Sequence, residues 1–107
     1  MSLSTHVLDL RSGRPAAGIP VTLEKDGVII GTGATDADGR YADFLSGGDL
    51  TPGQYQLNFD VADYFAAQML DTFYRTIPIV FIIQDAPRHY HVPLLLSPYG
   101  YSTYRGS

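Results

Sequence analysis

Short runs of β-prone residues, separated by Gly, Pro and Asp, recur along almost the whole chain and constrain its fold more than any other feature. Three of these runs read "STHVLDL", "VIIGTGAT" and "QYQLNFDV". The last one alternates strictly, with Tyr55, Leu57 and Phe59 at every second position and polar residues between them. Such alternation is typical of a strand with one buried and one wet face. The pattern therefore predicts an antiparallel sheet protein.

The order of the runs predicts seven or eight strands and one helix. The helix is expected at residues 62–69, where alanines are frequent and β-branched residues are absent. Asp-Gly pairs at 26–27 and 38–39 supply the positive φ that tight hairpin turns need. We infer an all-β fold, a two-sheet β-sandwich with one short helix and Greek-key-like connections. The main predicted strands are residues 4–10, 18–25, 28–35, 40–45, 54–61, 76–83 and 89–97.

Size and charge limit the classes of partner. A chain of 107 residues has the size of one domain, so residues 1–107 are expected to form a single domain. The net charge is −4, and the sequence has no run of basic residues that could bind a phosphate backbone. Both features argue against a nucleic-acid partner. Cysteine is absent, in agreement with a reducing compartment. The first residues do not resemble a signal peptide, and the apolar run at 77–83 is too short to span a bilayer. We expect a cytoplasmic protein without a membrane partner.

The last two long strands carry apolar residues on both faces. In residues 89–97, Tyr90, Val92 and Leu94 share one face with Leu96, while the other face carries two histidines, a proline and Leu95. One face fills the sandwich, which leaves a second apolar face to be covered. In so small a domain another subunit usually covers such a face. The pattern predicts a homo-oligomer that packs sheet against sheet, with a histidine-bearing surface inside the contact.

The three histidines allow two interpretations. His89 and His91 are two residues apart on a strand and therefore share a face. Together with His6 they match the ligand set of some catalytic zinc sites. Alternatively, one or both simply end a strand beside a loop. No carboxylate pattern accompanies the pair, and the spacing alone favours the second interpretation.

The segment "DADGR" combines a turn with an arginine. Its alternating aspartates resemble the start of a calcium loop, but it lacks further oxygen ligands and a closing glutamate, and a hairpin turn explains Asp38 and Gly39. Arg40 opens a strand directly after this turn. It either presents its guanidinium to a planar, oxygen-rich ligand or is a solvated charge at the sheet edge. No G-x-S-x-G turn supports a serine nucleophile.

Three segments decide between these classes: "STHVLDLRSGRPAAGIPVTL" at the start, "TDADGR" in the middle and "HYHVPLLLSPYGYSTYRGS" at the end. Together they resemble the 5-hydroxyisourate hydrolases, the transthyretin-like enzymes of purine breakdown, from residue 3 to residue 107. The middle segment occurs in many related β-modules, whereas the two ends are specific. The terminal Tyr-Arg-Gly-Ser is the signature that separates the hydrolases from transthyretin, the hormone carrier of the same fold.

The resemblance implies a transthyretin-like homotetramer with active sites in the channel between dimers, and neither metal nor cofactor. Its substrate would be 5-hydroxyisourate, whose six-membered ring is opened by amide hydrolysis during urate degradation. Catalytic roles carry over to His6, Arg40, His91 and Ser107. Substrate-binding roles carry over to His6 and Arg40 again and to Tyr104, Arg105 and Gly106, whereas His89 lies beside the motif.

These residue types suit the implied chemistry. Hydrolysis of a lactam needs a base for the attacking water, a donor for the oxyanion and a proton for the leaving nitrogen. Histidine as a residue type can exchange a proton near neutral pH, so His6 and His91 are candidates for the base, and which of them acts stays open. Arg40 is expected to bind the flat ring through its oxygens. The rivals are a carrier of the same fold and an Ig-like adhesion or regulatory module. A hydrophobic carrier channel does not need these converging polar groups.

Overall fold

The fold consists of two β-sheets that pack face to face. A computed structural model describes residues 2–45, 48–84 and 89–106. One sheet has the strand order β2-β1-β8-β9, with β5 also pairing to β1, and the other has the order β4-β3-β6-β7. The elements are β1 Ser2–Asp9, β2 Arg14–Pro15, β3 Pro20–Lys25, β4 Val28–Ala34, β5 Arg40–Tyr41, β6 Gly53–Asp60, α1 Ala62–Ala66, β7 Thr76–Ile83, β8 His89–Ser97 and β9 Gly100–Thr103. The predicted β-sandwich with one short helix is confirmed.

Burial follows the alternation in the sequence. On β6, Tyr55, Leu57 and Phe59 are buried, while the residues between them are half-buried. On β8, the residues from Tyr90 to Leu96 at every second position are likewise buried. These side chains meet in one core between the sheets. The inner faces predicted for both strands are confirmed, because a period of two places every second side chain on the same side of a sheet.

The pairing of β1 with β8 joins the two ends of the chain. Ser4 lies opposite His91 and His6 lies opposite Pro93, and the two strands run parallel. On the other side of β1, β5 pairs antiparallel, so that His6 also lies opposite Arg40. The first strand is therefore central in its sheet, and its two neighbours bring predicted functional residues of two other segments next to its own His6. Long connections between sequence-distant strands are what Greek-key sandwiches require.

Three elements differ from the prediction. The strand predicted at residues 40–45 is only the two-residue β5, because Phe44 turns the chain away and its amide donates to Ala42. A short strand at Arg14–Pro15 was missed. The helix ends at Ala66 rather than at residue 69.

The early end of the helix has a structural cause. Met69 takes a positive φ of 58°. The amide of Leu70 donates to Phe65 and the amide of Met69 donates to Ala66. This pair of hydrogen bonds is the Schellman motif, in which a left-handed residue closes the last turn of a helix. Residues 67–69, whose composition favours a helix, therefore form the turn that closes α1.

The predicted turns and the second apolar face are both visible. Gly27 and Gly39 have φ values of 80° and 75°, which confirms the two Asp-Gly turns. On β7, Val80 and Ile82 are exposed by more than half. Apolar side chains therefore remain uncovered on the outside of the sandwich, and their coverage by another subunit stays a prediction. In the described part of the chain no helix is long and apolar enough to cross a membrane.

Candidate active site

His6, Arg40 and His91 lie on one face of the first sheet, although they come from three different segments. His6 and Arg40 are directly paired residues, and neighbouring strands lie about 4.8 Å apart. His91 is on the next strand, opposite Ser4, which shares a face with His6 because the two residues are two apart. Both histidines are half-buried and Arg40 is exposed. The structure thus brings three of the predicted site residues together on the outer face.

The turn before Arg40 holds the backbone of this residue firmly. Oδ1 of Asp36 accepts hydrogen bonds from the amides of Asp38 and Arg40 at 2.9 and 3.0 Å. The amide of Val7 donates to the Gly39 carbonyl at 2.7 Å, which ties the turn to β1. A Cβ atom at Gly39 would lie 2.5 Å from the Val7 carbonyl oxygen, so only glycine fits there. The turn therefore presents Arg40 next to β1 in a defined position.

Asp36 has an electrostatic as well as a geometric role. The hydrogen bond from the Arg40 backbone is the main reason why the pKa of Asp36 lies below its ordinary value, and the charges of Arg40 and His6 act in the same direction. The carboxylate is thus ionised around neutral pH. A carboxylate that accepts backbone hydrogen bonds is a stable anchor for a tight turn.

The imidazole of His91 is contacted along both of its inner edges. Oγ of Ser4 lies 2.7 Å from Nδ1. On the other edge, a Cβ atom at Gly106 would lie 2.4 Å from Cδ2, and the Gly106 amide donates to the His91 carbonyl at 2.7 Å. Nδ1 and Cδ2 are the two ring atoms next to Cγ. The ring is therefore held at its base, and Nε2 is left at its far end.

The surroundings of His91 keep its ring neutral. Burial is the main cause that lowers the pKa of His91 below its ordinary value, and the positive charge of Arg40 and the neighbouring His89 and His6 lower it further. A hydrogen bond with the Ser4 backbone acts in the opposite direction. A neutral imidazole has a lone pair and can accept a proton at neutral pH.

The tail, residues 104–106, contacts residues on both faces of the first sheet. Gly106 forms an isolated bridge with His91. The guanidinium carbon of Arg105 lies 4.7 Å from the centroid of the Tyr90 ring. Tyr90 is buried and, as the direct neighbour of His91, faces the opposite side. Arg105 is therefore not brought to the His91 ring, and it anchors the tail instead.

Tyr104 is exposed and lines, with Arg105 and β7, a groove of about 300 Å³. Ser107, the last predicted catalytic residue, lies outside the described residues.

His89 takes part in hydrogen bonds with serines. Its Nδ1 contacts Oγ of Ser2, and its Nε2 lies 3.0 Å from Oγ of Ser4. Within residues 2–45, 48–84 and 89–106, no group of three or more His, Asp or Glu side chains could hold a metal ion.

Sequence reasoning missed Ser4 and Asp36 as parts of this region. The signal for Ser4 was its spacing of two from His6, but its contact with His91 requires the pairing of β1 with β8.

Comparisons with known proteins cover nearly the whole chain. The model of the HIUase/Transthyretin family matches residues 3–106. A Salmonella typhimurium protein named 5-hydroxyisourate hydrolase is 49% identical over 109 aligned residues, which span 98% of this chain and 80% of that protein. The family match includes the first two segments that carried the resemblance and the third as far as Gly106.

Solved structures of two kinds have the same fold. The structure of Klebsiella pneumoniae 5-hydroxyisourate hydrolase superposes with a TM-score of 0.90 at 36% identity and covers 100% of both chains. Sea bream transthyretin in complex with thyroxine superposes with a TM-score of 0.89 at 31% identity, covering 97% of this chain and 93% of that one. Both an enzyme and a hormone-binding protein are therefore similar to this chain in backbone structure.

Proposed function

The chain belongs to the HIUase/Transthyretin family, and we propose that it is a hydrolase that opens the six-membered ring of 5-hydroxyisourate. The product is 2-oxo-4-hydroxy-4-carboxy-5-ureidoimidazoline, so the reaction belongs to urate degradation in purine metabolism. The observation that carries this proposal is the cluster of His6, Arg40 and His91 on one face, with Gly106 against the His91 ring. The similarity to the named hydrolases supports it.

The residues of this face suit hydrolysis of a cyclic amide. His91 is the proposed base, because its pKa is lowered and its ring is neutral at neutral pH. Nε2 takes a proton from the water whose oxygen attacks the amide carbon. Arg40 binds the oxygen atoms of the flat ring and stabilises the negative charge that develops on the carbonyl oxygen. The carbon–nitrogen bond then breaks, and the leaving nitrogen takes a proton. His6 faces Arg40 across the strand pair and is proposed to hold the substrate and the water.

Each residue of the terminal tetrapeptide has its own proposed role. Gly106 allows the tail to pass the His91 ring, since a side chain there would collide with Cδ2. Arg105 fixes the tail through Tyr90. Tyr104 and Gly106 would contact the substrate, and Ser107 would complete the site. For Tyr104 and Ser107 the support is the family resemblance of the terminal segment.

A carrier function is the alternative, because sea bream transthyretin in complex with thyroxine has the same fold. The outer face of this chain places two histidines and an arginine together, and a site for an apolar hormone does not need them. The higher identity to the Salmonella hydrolase, 49% against 31%, also favours the enzyme.

The proposed assembly is a homotetramer, with active sites at the interface between dimers and residues 1–107 forming one hydrolase domain in each subunit. The uncovered Val80 and Ile82 and the half-buried Leu95 support association through apolar surface. The proposed compartment is the cytoplasm, in agreement with the absence of cysteine.

Turnover of freshly generated 5-hydroxyisourate tests the proposal directly. The ultraviolet absorbance of the substrate is followed with and without the protein, and we expect decay well above the spontaneous rate. His91→Ala and Arg40→Ala should each lose most of this rate while the oligomer, measured by sedimentation, is unchanged. Ser12→Ala is the matched control, because it removes a hydroxyl from the turn after β1, where it accepts a hydrogen bond from the Arg14 amide. If the wild-type protein does not accelerate decay, the enzyme function is wrong.

A further inference from the structure

Four polar side chains of β1 and β8 form a continuous row of hydrogen bonds that ends at the proposed base. Ser2 contacts Nδ1 of His89, Nε2 of His89 lies 3.0 Å from Oγ of Ser4, and the same Oγ lies 2.7 Å from Nδ1 of His91. The row follows from the parallel register, which places Ser2 opposite His89 and Ser4 opposite His91. Ser2 and His89 are exposed, whereas Ser4 and His91 are half-buried. The row therefore leads from solvent to His91.

The positions of the protons on the two histidine rings are coupled through the hydroxyl of Ser4. A serine hydroxyl has one proton, so Ser4 can donate to only one of the two ring nitrogens and must accept from the other. If Ser4 accepts from Nδ1 of His91, it donates to Nε2 of His89, and Nδ1 of His89 then donates to Ser2. If Ser4 donates to His91, all directions are reversed. Both arrangements satisfy every group of the row while both histidines are neutral.

The two arrangements give His91 opposite properties. In the first, Nε2 has a free lone pair and accepts a proton. In the second, Nε2 carries a proton and can donate it. The hydroxyl of Ser4 is the atom through which one arrangement changes into the other.

We propose that Ser4 is a positioning residue for the reaction, and that its hydroxyl, backed by His89, sets the ring orientation and the tautomer of His91. This inference rests on the proposed hydrolase function, in which His91 is the base. When the attacking water gives a proton to Nε2, the Nδ1 proton moves to Ser4 and the Ser4 proton moves to Nε2 of His89. The Nδ1 proton of His89 moves to Ser2, which releases its own proton to solvent. One proton enters the row and one leaves it.

The same row serves the second half of the reaction. The leaving nitrogen takes the proton from Nε2 of His91, and a proton returns to Nδ1 from Ser4. His89 restores the Ser4 proton, and Ser2 restores that of His89 from solvent. His91 therefore acts as base and then as acid without becoming a cation.

The charges around His91 agree with this mechanism. Among the described residues, the charged and titratable groups that act on its ring are His6 on β1, Arg40 on β5 and His89 on β8 itself. Arg40 is positive, and the ring is partly buried, so an imidazolium would be disfavoured at this position. Proton transfer along the row keeps His91 neutral and therefore avoids the free-energy cost of forming an imidazolium there.

Kinetics of Ser4 variants test the inference. Ser4→Ala removes the hydroxyl, and we expect kcat to fall by roughly tenfold to a hundredfold, a part of the ~10²–10⁴-fold that proton transfer contributes in enzymes. KM should stay within about twofold, because Ser4 is not expected to touch the substrate. Ser4→Thr keeps the hydroxyl on a strand that tolerates β-branching and should retain most of kcat. Ser12→Ala should behave like the wild-type protein. Unchanged kcat in Ser4→Ala, or equal losses in Ser4→Ala and Ser4→Thr, would overturn the proposal.

Nitrogen NMR of the histidine rings gives a test that does not depend on turnover. In the wild-type protein, the ¹⁵N shifts of His89 and His91 should report the same tautomer in both rings. Ser4→Ala should change the tautomer ratio of His91, and Ser12→Ala should not. His89→Gln should also change the His91 shifts and lower kcat, by less than Ser4→Ala does. If His91 keeps its ¹⁵N shifts in both variants, the coupling does not exist. An inactive wild-type protein would refute the proposed function. The ¹⁵N shifts would still show whether Ser4 and His89 set the tautomer of His91.

Discussion

The two faces of the first sheet differ in what they contribute to the molecule. On the inner face, Val7 and Leu94 are fully buried and belong to the core. On the outer face, His6 and His91 are half-buried and Arg40 is exposed. Ser4 contacts the His91 ring, and Asp36 accepts a hydrogen bond from the Arg40 amide. Neighbouring residues of one strand thus serve stability and chemistry separately. The comparison implies that substitutions one position apart should have different consequences.

Leu94→Ala and Leu95→Ala give the largest contrast. Leu94 is completely buried, and its truncation should lower the free energy of unfolding by about 2–5 kcal/mol through lost burial and a cavity. Leu95 is half-buried on the outer face, so the same truncation should cost less than about 2 kcal/mol. Urea denaturation followed by circular dichroism measures both. Equal losses in the two variants would show that the faces are equivalent in energy, which would contradict the comparison.

Gly106→Ala should affect activity without affecting the core. The added Cβ would lie 2.4 Å from Cδ2 of His91, so the ring or the tail must shift. A displacement of about 1 Å near the reacting atoms costs up to ~10²-fold in rate. We expect kcat/KM to fall by roughly tenfold to a hundredfold, with an unfolding midpoint like that of the wild-type protein. Gly48→Ala is a suitable control, since its Cβ would lie no closer than 3.2 Å to its neighbours, outside the site. Full activity of Gly106→Ala would mean that the tail does not position His91.

Tyr64→Phe tests a buried charged group on the inner face, the carboxylate of Asp9. Asp9 is completely buried at the end of β1, where Oδ1 accepts from the Arg11 and Ser12 amides and Oδ2 accepts from the Tyr64 hydroxyl at 2.8 Å. Burial first, and then Asp9, raises the pKa of Tyr64 above its ordinary value, so the hydroxyl stays a donor. Loss of this hydrogen bond should destabilise the protein by about 1–3 kcal/mol. Activity at a temperature where the variant is folded should be unchanged, and a specific loss of kcat would argue against separate roles for the two faces.

The smallest expected effect comes from removing the charge of Arg40 on the outer face. Burial is the main cause of the lowered pKa of His91, and Arg40 is the next. Arg40→Gln should therefore raise this pKa toward its ordinary value, and the neutral ring should be lost at a higher pH than in the wild-type protein. A ¹H–¹⁵N NMR titration of His91 measures the change. Arg14→Gln removes a charge from β2, where it is not among the causes that shift His91, and serves as the control. If the two variants titrate alike, Arg40 does not act on His91.

Much of the fold was predictable because its signals are local. Alternation identified the buried faces of β6 and β8, and the Asp-Gly pairs identified two turns. The family recognised from the two ends of the chain is confirmed. The length of α1 was overpredicted, since composition does not reveal that Met69 takes a left-handed conformation. The early turn after Tyr41 was missed for a similar reason, because strand propensity does not show where pairing with β1 stops.

The sequence by itself determined the alternating faces, the tight turn before Arg40 and the terminal motif, because each depends on residues that are close along the chain. Only the tertiary structure decided that Ser4 contacts Nδ1 of His91 and that Gly106 packs against the opposite edge of the ring. It also placed Arg105 over Tyr90, away from the His91 face. The two contacts of Arg105 and Gly106 arise because the chain returns antiparallel along β8 after β9. The Ser4 contact arises from the parallel pairing of the first strand with β8, which joins residues more than 80 positions apart. No local pattern specifies such a pairing, since it is selected by the packing of the whole sandwich.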